Sequence, residues 1–193
     1  MPKPKFKASQ ARKVAEGILE QLAPLCLPGR AAVAGSLRRG KEWVGDAEIL
    51  IQPIPGAAIA NLFGEPAGRA ESDAERLIAR WIAERRLTLR RGKDGSVACG
   101  EKNKLLLHPA SGIPVDIFAE TTGEETAWWS LLVCRTGGAE TNIRLAQGAQ
   151  RALRRWDPYR GVLGYPKRDI LPARSENDIF AQCGIPYLEP EQR

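Results

Sequence analysis

What this chain has little of narrows it before any motif is read. It holds four cysteines and one histidine. Cys26, Cys99, Cys134 and Cys183 lie far apart with no C-x-x-C pair, and His108 completes no zinc-finger spacing. Reduced thiols of a cytosolic protein are the simplest reading. No apolar run approaches a membrane span. The basic start, MPKPKFKASQARK, has no apolar segment behind it of the kind a signal peptide needs. No repeat and no low-complexity segment is present, and a charged fraction of 27% argues against gross disorder. The expectation is a soluble intracellular protein, cytoplasmic or nucleoid-associated, with no membrane partner. A viral or phage origin stays open.

What is there is positive charge, on a chain whose 43% hydrophobic residues suit one domain or two small subdomains sharing a core. The formal charge is +6 and the pI about 9.4. Basic surfaces attract polyanions, and nucleic acid is the commonest. Lys3, Lys5, Lys7, Arg12 and Lys13 precede the first acid, Glu16. Arg85, Arg86, Arg90, Arg91 and Lys93 form a second cluster, and Arg144, Arg151, Arg154 and Arg155 a third. Each alone reads as a solvated face. On a continuous helix, Arg144, Arg151 and Arg155 would share one side.

Periodicity places the elements. Ser9 to Leu25 has helical spacing, with Ser9 as N-cap and Pro28-Gly29 as its end. Ala31 to Ala34 and Ala47 to Ile51 read as strands, and residues 52 to 70 as a surface loop. Ser72 to Ile82 is helical. Leu87 to Arg91 and Val97 to Cys99 suggest a hairpin around Lys93-Asp94-Gly95. Leu105 to His108 and Val115 to Phe118 are strands. Glu124 to Cys134, Thr141 to Trp156 and Glu176 to Cys183 are helices. Trp128 and Trp129 read as helix packing.

The chemistry concentrates in Gly35-Ser36-Leu37-Arg38-Arg39-Gly40 and the following Gly45-Asp46-Ala47-Glu48-Ile49-Leu50-Ile51. A Gly-Ser turn after a strand brings backbone N–H groups, a hydroxyl and an Arg toward a phosphate chain. Asp46 and Glu48 are i and i+2, so on a strand both would face one point and repel unless a cation lies between them. Hard cations such as Mg²⁺ take oxygen ligands. Asp116 is a lone charge inside the apolar run Pro114 to Phe118, costly unless paired or metal-bound. Each piece also has an ordinary reading: a plain turn, or chance acids on an exposed strand. Their order along the chain favours a nucleotidyltransferase site.

That order resembles the signature of the polymerase X family, the DNA polymerase beta-like nucleotidyltransferases: G-S-aromatic-R-R-G, then G-D-x-D and an apolar strand. LLVCRTGGAETN (Leu131 to Asn142) resembles the family's thumb element, and SENDIFAQCGIPYLEPEQR (Ser175 to Arg193) its closing S-E-x-D-I-F motif. The resemblance implies an α+β fold. A palm with a mixed β-sheet flanked by helices would span 1–120, and a small, mainly helical thumb 121–193. It implies template-directed addition of deoxynucleotides to a DNA 3′ end, in short-gap repair, by a monomer. Deoxynucleoside triphosphates and primer-template or gapped DNA would be its partners. Asp46, Glu48 and Asp116 take the three catalytic, metal-binding positions, with Asp116 placed to accept the primer hydroxyl proton. Gly35, Ser36 and Arg39 take the triphosphate-binding turn, and Gly45 offers a backbone amide. Gly137 and Asn142 match positions near the sugar and base.

Five departures stand out. Glu48 replaces an Asp, which suggests Mn²⁺ in preference to Mg²⁺. Cys134-Arg135 replaces an aromatic pair, and Gly138 a serine. Pro114 stands where the family often has a basic residue. The chain begins where the family palm begins, so no 5′-phosphate lyase activity is expected. The alternative is a DNA-binding module that kept the fold and lost the metal site.

Overall fold

The computed structural model describes residues 5–60, 66–91, 95–166 and 169–193. Lys3 and the Lys93-Asp94 part of the expected turn lie outside them. Strand β1 (Phe6–Lys7) leads into helix α1 (Ala8–Leu22), which buries Ala11, Ala15, Ile18 and Leu22, a stripe of helical period. Lys7 occupies the N-cap, so Ser9 lies inside the helix and does not cap it. A 3-10 turn, Ala23–Leu25, ends the helix, and Pro28-Gly29 falls within β2 (Cys26–Val33). There the pairing register shifts between Cys26 and Ala31, and Gly29 adopts φ 71°. β2 is an edge strand, where a proline and a bulge are tolerated.

The one-turn helix α2 (Gly35–Arg38) follows, then β3 (Trp43–Val44) and β4 (Ala47–Pro53). Where a loop was expected, β5 (Ala58–Ala60) and β6 (Pro66–Arg69) pair as an antiparallel ribbon. Helix α3 (Asp73–Ala83) starts with a capping box: Ser72 Oγ accepts from the Glu75 N–H at 3.2 Å, and Glu75 Oε2 accepts from the Ser72 N–H at 2.7 Å. β7 (Thr88–Leu89), β8 (Asn103–His108) and β9 (Ile113–Ala119) complete a five-stranded mixed sheet of order β2-β4-β9-β8-β7. Only the central pair, β4 and β9, is parallel.

Helices cover both faces of this sheet. Ile49, Ile51 and Ile117 join the α1 and α3 residues Ile18, Leu22, Ile78 and Trp81 in one core. Leu50 and Phe118 face the other way, onto Trp128, Leu131 and Leu132 of α4 (Glu125–Thr136). The protein is therefore α+β, with a mixed sheet flanked by helices.

Helix α5 (Ala139–Arg151) stops five residues before the expected end at Trp156. Leu153 turns the chain with φ 54°, and β10 (Arg154–Asp157), β11 (Gly161–Gly164) and β12 (Ile170–Leu171) form an antiparallel sheet. The reason is a change of period: Trp156 is buried and donates its indole N–H to Ser130 Oγ at 2.9 Å, while Arg155 faces solvent. Arg155 thus does not share a helix face with Arg144 and Arg151, which corrects the expectation of one continuous basic stripe. Helix α6 (Glu176–Gln182), capped by Ser175, closes a second core with Val133, Leu145, Val162 and Phe180. Among the described residues no helix is long and apolar enough to cross a membrane.

Candidate active site

The Gly-Ser segment is held where β2 ends. Ala34 donates its N–H to the Glu48 carbonyl at 2.9 Å, so the chain leaves the sheet beside Glu48. Gly35 then adopts φ +61°, and a Cβ there would lie 2.0 Å from Glu48 Oε2. Only glycine meets both demands. The carboxylate of Glu48 therefore rests directly against the turn.

Glu48 and Asp116 are register partners on the parallel strands β4 and β9, so their side chains leave the same sheet face. Asp46 stands just before β4, at its mouth, and is not a strand residue. Among the described residues no donor or cation pairs with the carboxylate of Asp46 or Glu48. Burial, reinforced by Asp46 and Asp116, pushes Glu48 up to about 7 against the opposing pull of Arg135 and Arg39. Asp116 differs: Arg90, just past β7, donates to its Oδ1. Sequence reasoning assigned Arg90 to a solvated basic cluster and missed this role. The signal was present in Asp116, an acid in an apolar strand that required a partner.

As they stand, no three His, Cys, Asp or Glu side chains among the described residues are close enough together to hold one metal ion. The donor chemistry nevertheless fits a hard divalent cation. Asp46 and Glu48 supply oxygen ligands that no described cation pairs with directly, and Glu48 is held in a partly desolvated setting that a metal ion would relieve. Asp116, which accepts from Arg90 through Oδ1, has a second carboxylate oxygen with which it could join them.

The opposite wall comes from the α4–α5 junction. Arg39 donates to the Thr136 carbonyl at 2.6 Å. Arg38 donates to Thr136 Oγ1 at 2.6 Å and, through both terminal nitrogens, to Glu176 at 2.8 and 2.7 Å. Asn142 Nδ2 donates to the Cys134 carbonyl at 3.0 Å, while its Oδ1 is buried without a partner. A Cβ on Gly137 would meet that Oδ1 at 2.7 Å. Arg135 lies 3.7 Å from the Phe118 ring centroid and donates to the Tyr159 hydroxyl at 3.2 Å. Burial raises the Cys134 thiol above its ordinary value, which keeps it neutral.

Between these walls is a cleft of about 430 Å³. It is lined by Ser36, Arg39, Asp46 and Glu48 on one side and by Arg135, Gly137, Gly138 and Asn142 on the other. Six of the nine expected site residues thus share one cavity; Gly35, Gly45 and Asp116 are outside its lining. Two guanidinium groups, a hydroxyl and two carboxylates share one volume. Such a set can bind a polyanion together with a cation. No protein-family model and no curated protein matches this chain. The cleft and the resemblance of its motifs therefore carry the functional reading.

Proposed function

We propose that the chain is a polymerase X-like nucleotidyltransferase, its sheet-bearing part a palm and its later part a thumb. It adds deoxynucleotides to a DNA 3′ end by metal-assisted phosphoryl transfer. The observation that carries this reading is the single cleft joining Ser36, Arg39, Asp46 and Glu48 to Gly137 and Asn142.

Asp46, Glu48 and Asp116 would hold Mg²⁺ or Mn²⁺, which when bound neutralises phosphate charge and activates the attacking hydroxyl. Ser36 and the turn amides bind the triphosphate. Arg39, anchored on Thr136, offers its remaining N–H groups to a phosphate oxygen. Asn142 Oδ1 accepts from the sugar or base. Asp116, once clear of Arg90, accepts the proton of the primer hydroxyl.

Primer extension on gapped DNA with Mg²⁺ or Mn²⁺ is the test. Incorporation by the wild type, lost in Asp46→Ala and Asp116→Ala with unchanged circular dichroism, is the expected result. The Arg90–Asp116 pair favours one other reading, a DNA-binding module whose third carboxylate is permanently occupied. That reading predicts DNA binding with no incorporation under either metal.

A further inference from the structure

We propose that a second cleft, on the opposite face of the five-stranded sheet, binds a small organic anion: a phosphate or carboxylate carried on an apolar, planar body. The cleft has a volume of about 400 Å³, within the range of small-molecule sites. Val14, Ile18, Trp81 and Leu87 form its apolar wall, and Ile18, Trp81 and Leu87 belong to the core packed on the α1 side of the sheet. Glu48 and Asp116 alternate onto the other side. The proposal is therefore independent of the nucleotidyl-transfer reading.

Three observations converge on a ligand. The first is Gly17, which lines the cleft in the interior of α1. A glycine there destabilises the helix relative to alanine. A Cβ at Gly17 would meet nothing within 4 Å, so packing gives no reason for it. What the missing side chain preserves is the open volume. The second is the Trp81 indole, a rigid aromatic side chain that is 1% exposed and lines the cleft. The third is charge. Lys13 and Arg86 line the cleft, and neither has an ion-pair partner among the described residues. Arg86 is held over the Trp81 ring at 5.5 Å, with only a long 3.5 Å hydrogen bond to Gln21 Oε1. His108 closes the rim, its Nδ1 2.8 Å from Ser111 Oγ. An apolar wall with two uncompensated cations at its mouth selects an amphiphilic anion; it suits neither a bare ion nor a neutral hydrocarbon.

Naphthyl phosphate is a suitable probe, with naphthol and inorganic phosphate as comparison ligands. The readout is the Trp81 indole N–H resonance, assigned by its disappearance in Trp81→Phe. Naphthyl phosphate should move it saturably, and each comparison ligand should bind at least about tenfold more weakly, ~1.4 kcal/mol. Gly17→Leu should abolish the shift while raising or preserving the thermal midpoint, because it fills the cleft and improves the helix. Arg86→Gln should weaken binding by about tenfold. No saturable shift at millimolar probe would overturn the proposal. So would an unchanged response in Gly17→Leu, or equal binding of naphthol.

Discussion

At the scale of single residues, the site turns on two contacts. Glu48 is one methylene longer than aspartate, and its Oε2 fills the space that a Cβ on Gly35 would need. The turn and the acid are therefore built for each other. Gly35→Ala is expected to destabilise the protein by about 1–2 kcal/mol, from the left-handed backbone and the clash together. It should also reduce incorporation by about a hundredfold. Glu48→Asp in the Gly35→Ala background should recover part of both losses, and a double-mutant cycle in thermal midpoint and single-turnover rate measures it. Additive losses would mean that the two residues do not interact. The fit with Gly35 also bears on metal choice: a site shaped around Glu48 predicts that Glu48→Asp alone lowers the Mg²⁺-supported rate. The second contact is Arg90 on Asp116. Arg90→Ala removes the guanidinium from a nearly buried carboxylate and should cost about 1–3 kcal/mol in chemical denaturation. Asp116→Asn should cost less, since the amide can still accept from Arg90.

At the scale of elements, the decisive join is between α2 and α6. Glu176 is 6% exposed and receives both Arg38 and Arg193, whose side chain is fully buried. Burial alone would raise the Glu176 carboxyl, but hydrogen bonds from the two guanidinium groups outweigh it and hold the pKa below its ordinary 4.5. The sign follows from linkage. A depressed folded-state pKa adds stability above the unfolded value, and that stability is lost as pH falls through the folded one. Glu176→Gln should therefore lower the thermal midpoint most at neutral pH. The gap to wild type should close in acid, below the ordinary carboxylate range. A gap that stays constant with pH would show that the charge on Glu176 does not stabilise this join. Because α2 carries Ser36 and leads directly into Arg39, loosening the join should also raise KM for the nucleotide.

At the scale of the whole molecule, the net charge of +6 is spread over elements that the sequence alone would group differently. Arg144 and Arg151 are exposed on α5 and Arg155 on β10, while Arg38, Arg90 and Arg154 are engaged within the protein. DNA affinity should fall with salt, each phosphate contact releasing roughly 0.9 counterion on a duplex. Arg151→Ala with Arg155→Ala should flatten that slope by up to about two contacts. A slope unchanged in the double variant would leave these arginines as solvating charge only.

The sequence by itself determined what depends on near neighbours. The periods of α1 and α3, the Ser72–Glu75 capping box and the apolar runs of β4 and β9 are local patterns. So is the order of Gly-Ser, Asp46, Glu48 and Asp116 that marked the site. Tertiary structure decided what depends on distant partners. Pro28-Gly29 could lie in a strand because β2 is an edge. The chain turned from helix to strand at Leu153 because Trp156 found Ser130, and no window around Arg155 contains that partner. The local pattern gave Arg90 to solvent, and Asp116, 26 residues on, claimed it. Glycine at position 35 looked like turn chemistry alone, yet its necessity comes from Glu48 arriving on a neighbouring strand. Gly17 and the cleft beside it had no sequence signal at all, because a cavity exists only between elements already packed.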